Sequence, residues 1–505
     1  MRCNTDHPFF RLSYLFIIMM ALLFAAHLPF LQADPDIHIS FSRGPFTDEG
    51  LNTIQVRNWV NHGQLDLAEC DNLLKTPLLG FPLALTYKLF GPALAVSRLH
   101  VMVFVLIALI IFGSDPKNRG IVLILIPVSF LQYQVFQFTH FSLAEMLSSA
   151  ALLLAIHFLS RSSDPEINIK NQDKMAILSG VFLSMAWFFK IQFIYLVVLL
   201  PLVQSVRLLT EKSHRRLIIR QGFITSATLL FFLALYLLAW YLPNREVYDH
   251  MMAHQSGEFS VGEKTREYIH FNISYFFLKG WMQWFIYVFL TCLATGIVLL
   301  FKKHSNRYPV LFISSLAWFL LECHKLAMVY LPTRYQISLL VSMGLLISIV
   351  LNEIISFREE SGKRARLLTM MKTAAICLIL LLLSINITNY FKTLERRNYA
   401  IRDTNAYLAE RLNPGDLAIG AWAPSLTWKS KAKAIPVWNH FLNYNDPVNR
   451  FNPRAVIAET DEQDSEQAYR SQGIILDDLA DSTKIVTIGQ WEVGIYWVGV
   501  LSSEF

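Results

Sequence analysis

Charge is scarce in this chain. Only 16% of its 505 residues are Asp, Glu, Lys or Arg, where soluble domains carry about 25%. With 54% hydrophobic residues and 37 Phe, this excludes an ordinary soluble domain and predicts a polytopic membrane protein. A chain of this length is too long for a single core. Cysteine is also sparse. Cys3, Cys70, Cys292, Cys323 and Cys377 form no CxxC pair, so neither a structural zinc nor a disulfide framework is indicated. The excess of basic residues is small, a net charge of +6, and much of the basic charge sits in short loops between apolar runs. That pattern reads as membrane topology, not as a nucleic-acid surface. No internal repeat or low-complexity tract stands out.

What the chain has is long apolar runs. A membrane-spanning helix needs about 20 mostly apolar residues. Eleven runs qualify, within about two: 12–31, 93–112, 120–137, 142–160, 175–189, 191–208, 221–242, 273–301, 309–323, 336–356 and 370–390. The first is too long for a signal-peptide core and is followed by no small-residue cleavage site, so it reads as a retained anchor. Lys190 must sit at a very tight turn between two short runs. Residues 77–89 are apolar but short and twice interrupted by Pro, as in a re-entrant or interfacial helix; alternatively they begin the next span.

Basic residues set the direction. With Met1 inside, the inner loops are 113–119, 161–174, 209–220, 302–308 and 357–369. They hold Lys117, Arg119, Lys212, Arg215, Arg216, Arg220, Lys302, Lys303, Arg307, Arg358, Lys363, Arg364 and Arg366. This places the 32–92 loop, the 243–272 loop and the C-terminal region outside. From residue 391 onward the composition turns polar. Asp403–Leu412 reads as an amphipathic helix, and Asn413-Pro414-Gly415-Asp416 as a turn. Short β-like runs follow at 417–420, 455–458, 484–488 and 493–498. The expected organisation is a membrane domain over 1–390, with its first outer loop at 32–92, and a small extracytoplasmic α/β domain over 391–505.

Several residues in these outer segments carry chemistry. Asp48 and Glu49 follow the first span; a carboxylate beside the membrane can act as a base, and the bland alternative is a solvated loop. Glu145 falls at the outer end of the fourth span. It either acts on substrate or sits at a helix N-terminus with Ser142 as a cap. Lys75 precedes the apolar 77–89 segment and suits a lipid phosphate, or merely snorkels. Arg43 and Arg57 share its loop and meet a phosphate or pair with acids. His324, Lys325, Arg334 and Tyr335 join the ninth and tenth spans on the outer side. Basic residues there run against the positive-inside trend, and Arg334 has the planar fork that grips phosphoryl oxygens. Asp249, His250 and His254 have a loose metal-ligand look, but a polar lid over an outer cavity is the plainer reading. Trp422, Trp438 and Trp491 are sugar-stacking candidates or buried core.

These pieces occur in an order that resembles a known family. Arg43-Gly-Pro-Phe-Thr-Asp-Glu-Gly50, Asn61-His62-Gly63-Gln64, Leu74-Lys75-Thr76-Pro77, Lys88-Leu89-Phe90-Gly91-Pro92 and Ser97-Arg98-Leu99 together resemble the first outer loop and second span of the GT-C glycosyltransferases. The branch is that of the lipid A aminoarabinose transferases and the bacterial relatives of protein O-mannosyltransferases, glycosyltransferase families 39 and 83. The resemblance covers about residues 10–110 well, 130–160 and 320–340 loosely. It implies a polytopic α-helical GT-C bundle with amphipathic outer-loop helices and an outer domain. It also implies transfer of a sugar, with inversion, from a polyprenyl phosphate to a lipid, glycan or protein acceptor. By the same resemblance the catalytic carboxylates fall on Asp48 and Glu145, with Glu49 beside them. The phosphate-binding positions fall on Lys75 and on Arg334-Tyr335, with Arg57 nearby. No cofactor is implied, since Lys and Arg can neutralise the leaving phosphate. The chain departs from the family at Gly50-Leu51-Asn52, where an aromatic is common, at Lys75-Thr76-Pro77 in place of Lys-Pro-Pro, and at Glu145 in place of Asp. A lipid flippase or transporter and a non-catalytic envelope scaffold are the competing expectations; no inverted repeat supports the former.

Overall fold

The computed structural model describes residues 8–211, 214–253, 264–300, 307–357, 363–440, 442–460 and 465–499. Cys3, Lys212, His254, Lys302, Lys303 and Arg358 lie outside the described residues. The chain opens with α1 (Pro8–His27), then α2 (Gly44–His62), α3 (Asn72–Lys75) and α4 (Pro77–Phe90). There follow α5 (Leu94–Ser114), α6 (Pro116–Leu125), α7 (Tyr133–His140), α8 (Ala144–Ser162), α9 (Ile169–Phe189), α10 (Leu199–Thr210) and α11 (Arg215–Tyr236). Next come α12 (Arg245–Ala253), α13 (Thr265–Phe276), α14 (Met282–Leu300), α15 (Arg307–Glu322), α16 (Ile337–Ser356) and α17 (Lys363–Glu395).

Among the described residues nine helices are long and apolar enough to cross a membrane, and a bent pair makes ten. The bent pair corrects one expectation. Residues 120–137 are not one straight span: α6 and α7 meet at a 96° bend. Pro127 lacks a donor within a π-turn over Ile126–Phe130, and the Asn386 amide donates to the Pro127 carbonyl at 2.8 Å, so the broken helix stays satisfied. The Gln132 side chain accepts from Val135 N at 2.8 Å and starts α7 afresh. An eleventh helix, α9, has 21 residues, about 31 Å of rise, but its first turns carry Lys170, Asp173 and Lys174. The span expected over 273–301 starts later, at Met282, with α13 as a separate helix before it. The 243–272 segment is not a free loop from its start, because a single helical run extends from Arg215 to His250.

Burial sorts these helices. The windows of α8 and of Thr333–Ser356 are 89% buried, whereas those of α17 and Arg215–His250 are 11% and 17% buried. The latter bear exposed Phe223, Leu230, Leu238, Met370 and Leu380, as lipid-facing helices do. The two innermost helices therefore carry Glu145 and Arg334 at their ends. At the opposite end Lys117 pairs with Asp164 at 3.2 Å, Arg161 with Asp115 at 3.1 Å, and Arg220 with Asp173 at 2.5 Å.

The tail forms α18 (Ala400–Ala409), β1 (Leu417–Ile419), α19 (Ala423–Leu426), β2 (Lys433–Ile435), α20 (Pro447–Phe451), β3 (Ala455–Glu459), α21 (Gln467–Arg470), α22 (Leu476–Leu479), β4 (Ala480–Ile488) and β5 (Trp491–Val498). The sheet order is β2-β1-β3-β5-β4. β1 runs parallel to β2 and β3, while β5 runs antiparallel to β3 and β4. β2 is a strand the periodicity does not show, since three residues cannot display alternation.

This sheet domain is built onto α2. Phe46, Leu51 and Ile54 of α2 share one apolar cluster with Trp422, Leu426, Ile457 and Ile495. A Cβ on Gly50 would lie 2.6 Å from both the Pro424 carbonyl carbon and Ser425 N. Only glycine lets the α2 backbone come this close, which accounts for Gly50 directly after the acidic pair. Asp34 adds a second tether. Its carboxylate accepts from Ala400 N at 2.8 Å and Ile401 N at 3.0 Å. Burial raises the Asp34 pKa, and the two backbone donors partly offset that rise.

Candidate active site

A cavity of about 670 Å³ lies where the bundle end meets the sheet domain. It is lined by Arg43, Asp48, Asp71, Lys75, Glu145, Lys190, Arg334, Tyr335, Trp438 and Glu459, among others. Eight separate stretches of the chain supply these side chains, so the cavity exists only in the folded chain.

Asp48 sits one turn into α2. The helix starts at Gly44-Pro45, with Phe46 N and Thr47 N both donating to the Arg43 carbonyl at 2.8 and 3.2 Å. Pro45 fits the first turn because its missing donor would be unpaired there. A Cβ on Gly44 would lie 2.9 Å from Asp48 Oδ2, so glycine leaves room for the carboxylate. On the sheet-domain side Ser425 Oγ donates to the Thr47 carbonyl at 3.2 Å. Asp48 pairs with the Arg334 guanidinium, which also faces Glu145 at 3.6 Å. Glu145, in the first turn of α8, pairs in turn with Lys190. The Lys190 ammonium lies 4.3 Å from the centre of the Tyr335 ring, and the Arg334 guanidinium carbon 5.2 Å from it. Lys75 pairs with Asp71 one turn before it in the chain, and Arg43 pairs with Glu459 of β3 at 3.0 Å.

The charges in this cavity balance. Its cations Arg43, Lys75, Lys190 and Arg334 each hold a carboxylate, from Glu459, Asp71, Glu145 and Asp48 respectively. An anion entering here therefore meets cations that are already partnered, and it must draw one away from its carboxylate.

The structure brings together Asp48, Glu145, Lys75, Arg334 and Tyr335 of the expected residues, with Arg43. It places others elsewhere. Glu49 points away from the cavity into the bundle. It is held by Arg98 Nε at 2.9 Å and by Ser142 N at 2.7 Å, while Arg98 Nη1 donates to the Phe30 carbonyl at 2.7 Å. Its carboxylate ties α2 to α5 and to the turn before α8, and it points away from Asp48 because successive helical residues face about 100° apart. Glu49 is thus a structural carboxylate, and Ser142 gives its backbone N–H to Glu49 and does not cap α8 with its side chain. Arg57, three turns along α2, faces the sheet domain. It donates to the Pro424 carbonyl at 2.9 Å and to Thr427 Oγ1 at 3.0 Å, and it lies on Trp428 at 4.7 Å. Full burial lowers its pKa to about 10. It locks two domains together and does not line the cavity.

Lys325 is buried in a pair with Glu322 and donates to the Tyr335 carbonyl at 3.1 Å. It fixes the Thr333–Gln336 turn that presents Arg334, which is support and not a lid. His324 donates from Nδ1 to the Leu321 carbonyl at 2.6 Å and lies outside the cavity lining. His250 is exposed on α12 and also outside that lining; His254 is not described. Among the described residues no three His, Cys, Asp or Glu side chains converge as a metal-ligating group. Cys70 is buried, and burial pushes its thiol up to about 12, leaving it protonated. Of the three indoles, Trp422 is core, whereas Trp438 and Trp491 line the cavity.

Sequence reasoning missed Lys190 as a site residue. It treats Lys190 as a turn between spans, yet the signal was available: a lysine at the outer end of a span breaks the positive-inside trend, as Arg334 does. Asp71 and Glu459 gave no such signal, because isolated acids in polar segments look alike.

No protein-family model matches the chain, and no curated protein matches it. Solved structures do. The aminoarabinose transferase ArnT from Cupriavidus metallidurans bound to undecaprenyl phosphate is similar, with a TM-score of 0.61 and 12% identity over 96% of this chain and 98% of that one. The archaeal oligosaccharyltransferase AglB from Archaeoglobus fulgidus, in complex with an inhibitory peptide and a dolichol phosphate, has a TM-score of 0.55 and 10% identity. That match covers 88% of this chain and 69% of AglB. Both are GT-C proteins. The chain has the GT-C fold: a mostly helical membrane bundle with a small C-terminal sheet domain.

Proposed function

We propose that the protein is an inverting glycosyltransferase that moves a sugar from a polyprenyl-phosphate donor to a lipid, glycan or protein acceptor. One observation carries this reading: Asp48, Arg334, Glu145 and Lys190 form a linked chain of charges in one cavity, with Lys75 beside it. The likeness of fold to proteins solved with bound undecaprenyl phosphate and dolichol phosphate supports it. The clustering of the charges at one end of the bundle favours it over a transporter, whose ionisable groups gather near the midplane.

In this mechanism the donor phosphodiester lies against Lys75, Lys190 and Arg334 and draws Arg334 from Asp48. Asp48 then accepts the proton of the acceptor hydroxyl. The acceptor oxygen forms a bond to C1 of the sugar from the face opposite the phosphate. The bond from C1 to the phosphate oxygen breaks, and its electron pair leaves with the lipid phosphate. That phosphate gains one negative charge as protonated Asp48 loses one, so Arg334 passes from carboxylate to phosphate without leaving a charge unpaired. Such preset cations contribute most when the leaving group develops its charge. We place the protein in a bacterial cytoplasmic membrane; the basic residues at the far end of the bundle support an orientation with cavity and sheet domain on the extracytoplasmic side.

The test is transfer from polyprenyl-phosphate sugars by purified protein. Asp48→Asn should reduce the rate by about 10²–10⁴-fold while the protein stays folded and binds polyprenyl phosphate. Near-normal transfer by that variant would remove Asp48 as the base.

A further inference from the structure

Glu322 is a fully buried carboxylate that the transfer mechanism leaves unused. It closes α15, is 0% exposed and does not line the cavity. Burying a carboxylate is costly unless partners hold it, and here they come from three elements. Its Oε1 accepts from Tyr195 Oη and from Ser338 Oγ, each at 2.8 Å. Its Oε2 faces the Lys325 ammonium at 2.5 Å. Ser338 Oγ in turn accepts from Trp318 Nε1 at 2.9 Å, which fixes its own proton toward Glu322.

These partners lead to two cations of the cavity. Tyr195 lies in the 3₁₀ run Ile191–Val198, which starts directly after Lys190 and whose Phe193 N donates to the Lys190 carbonyl at 2.8 Å. Such runs seldom exceed about four residues unaided, and this one has eight. A contact from outside must hold it, and Tyr195 gives it one. The Lys325 ammonium lies 4.3 Å from the centre of the Phe193 ring in the same run, and it donates to the Tyr335 carbonyl at 3.1 Å in the turn that carries Arg334. Ser338 follows that turn at the start of α16. One carboxylate thus ties the segment bearing Lys190 to the segment bearing Arg334. Once a phosphate draws Arg334 from Asp48, that ion pair no longer fixes the turn, whereas the ties through Glu322 persist.

We infer that Glu322 is a positioning residue that sets the spacing of Lys190 and Arg334 for a phosphate group. The inference rests on the glycosyl-transfer reading, which makes that phosphate the donor's. Electrostatics gives the role a sign. Removing a carboxylate leaves this end of the bundle more positive, so charge alone would tighten the binding of an anion. Loss of the spacing weakens it.

Binding of polyprenyl phosphate to the full-length protein in lipid nanodiscs tests it, read beside donor KM and thermal unfolding. The variants are Glu322→Gln, Tyr195→Phe, which removes only the hydroxyl tie to the Lys190 segment, and Glu322→Gln/Lys325→Met, which also removes the stranded ammonium. Tyr308→Phe is the control, since it loses a buried hydroxyl bond of 3.1 Å to the Gly296 carbonyl at the other end of α15. Affinity for polyprenyl phosphate should fall about 10–100-fold in Glu322→Gln and about 3–10-fold in Tyr195→Phe, the scale of one charged hydrogen bond passed on wholly or in part, and donor KM should rise to match. The double variant should regain thermal stability and not affinity. Tyr308→Phe should melt earlier with its affinity within about twofold of wild type. Wild-type or tighter affinity in both Glu322→Gln and Tyr195→Phe overturns the inference, as does a loss in Tyr308→Phe equal to that in Tyr195→Phe. Weaker phosphate binding by the variants of a protein that transfers no sugar would refute the enzymatic reading and leave the positioning role standing.

Discussion

Gly50→Ala should disable the protein without touching a charged group. The new Cβ would meet Ser425 Oγ at 2.4 Å and the Pro424–Ser425 backbone at 2.6 Å. Ordinary contact begins near 3.4 Å, so α2 and the sheet domain must part by about 0.8 Å, the difference from 2.6 Å. Backbone cannot rotate aside as a side chain can, and such overpacking costs about 1–3 kcal/mol. The larger effect falls on rate. Asp48 lies half a turn before Gly50, and Ser425 also holds the Thr47 carbonyl. A shift of about 1 Å in a catalytic group can lower turnover by roughly 10²-fold. The assay is sugar transfer by purified protein alongside thermal unfolding. Gly415→Ala in the same domain is the control, since a Cβ added there meets no other residue within 4 Å beyond its chain neighbours. Gly50→Ala/Ser425→Gly should not rescue, because the clash with backbone remains. Transfer within twofold of wild type by Gly50→Ala would refute the claim that the sheet domain positions Asp48.

Four further outcomes are expected. Lys75→Met should raise the donor KM by about 10–100-fold, matching the loss of one charged hydrogen bond of about 1.5–3 kcal/mol, with kcat changed less; unchanged donor dependence would take Lys75 out of the phosphate site. Lys190→Met leaves the buried Glu145 with Arg334 alone, at 3.6 Å, and should cost up to about 3 kcal/mol in thermal or denaturant unfolding, the low end of the cost of breaking a buried pair. Adding Glu145→Gln should recover much of that stability and none of the transfer, and recovery of both would contradict a role in the site. Glu49→Gln should lower the yield and melting temperature of extracted protein while the folded fraction keeps most of its kcat; a selective loss of kcat would return Glu49 to the catalytic machinery.

The fold was largely legible because its signals are local. Apolar runs of span length, basic residues at alternate ends and the polar shift after residue 391 each follow from chemistry within a short window. The 96° break between α6 and α7 was less legible. Pro127 marks it, but a proline in a span bends it by an amount that neighbours such as Asn386 decide. The site divides the same way. Asp48, Lys75, Glu145 and Arg334 announce themselves as charges beside apolar runs. Glu49 carries the same local signal as Asp48, and only its partners Arg98 and Ser142 separate them. Arg57 and Glu459 exchange roles for a similar reason. Whether a polar side chain lines a cavity or locks two domains depends on contacts across hundreds of residues, which no window contains.

The central claim is best tested by mass spectrometry of lipid and glycoconjugate fractions from otherwise identical membranes carrying the wild-type protein or Asp48→Asn. A glycoconjugate heavier by one sugar residue should appear with the wild type and vanish with the variant, while polyprenyl-phosphate-linked sugar accumulates. Indistinguishable spectra, with both proteins present at equal levels, would contradict it.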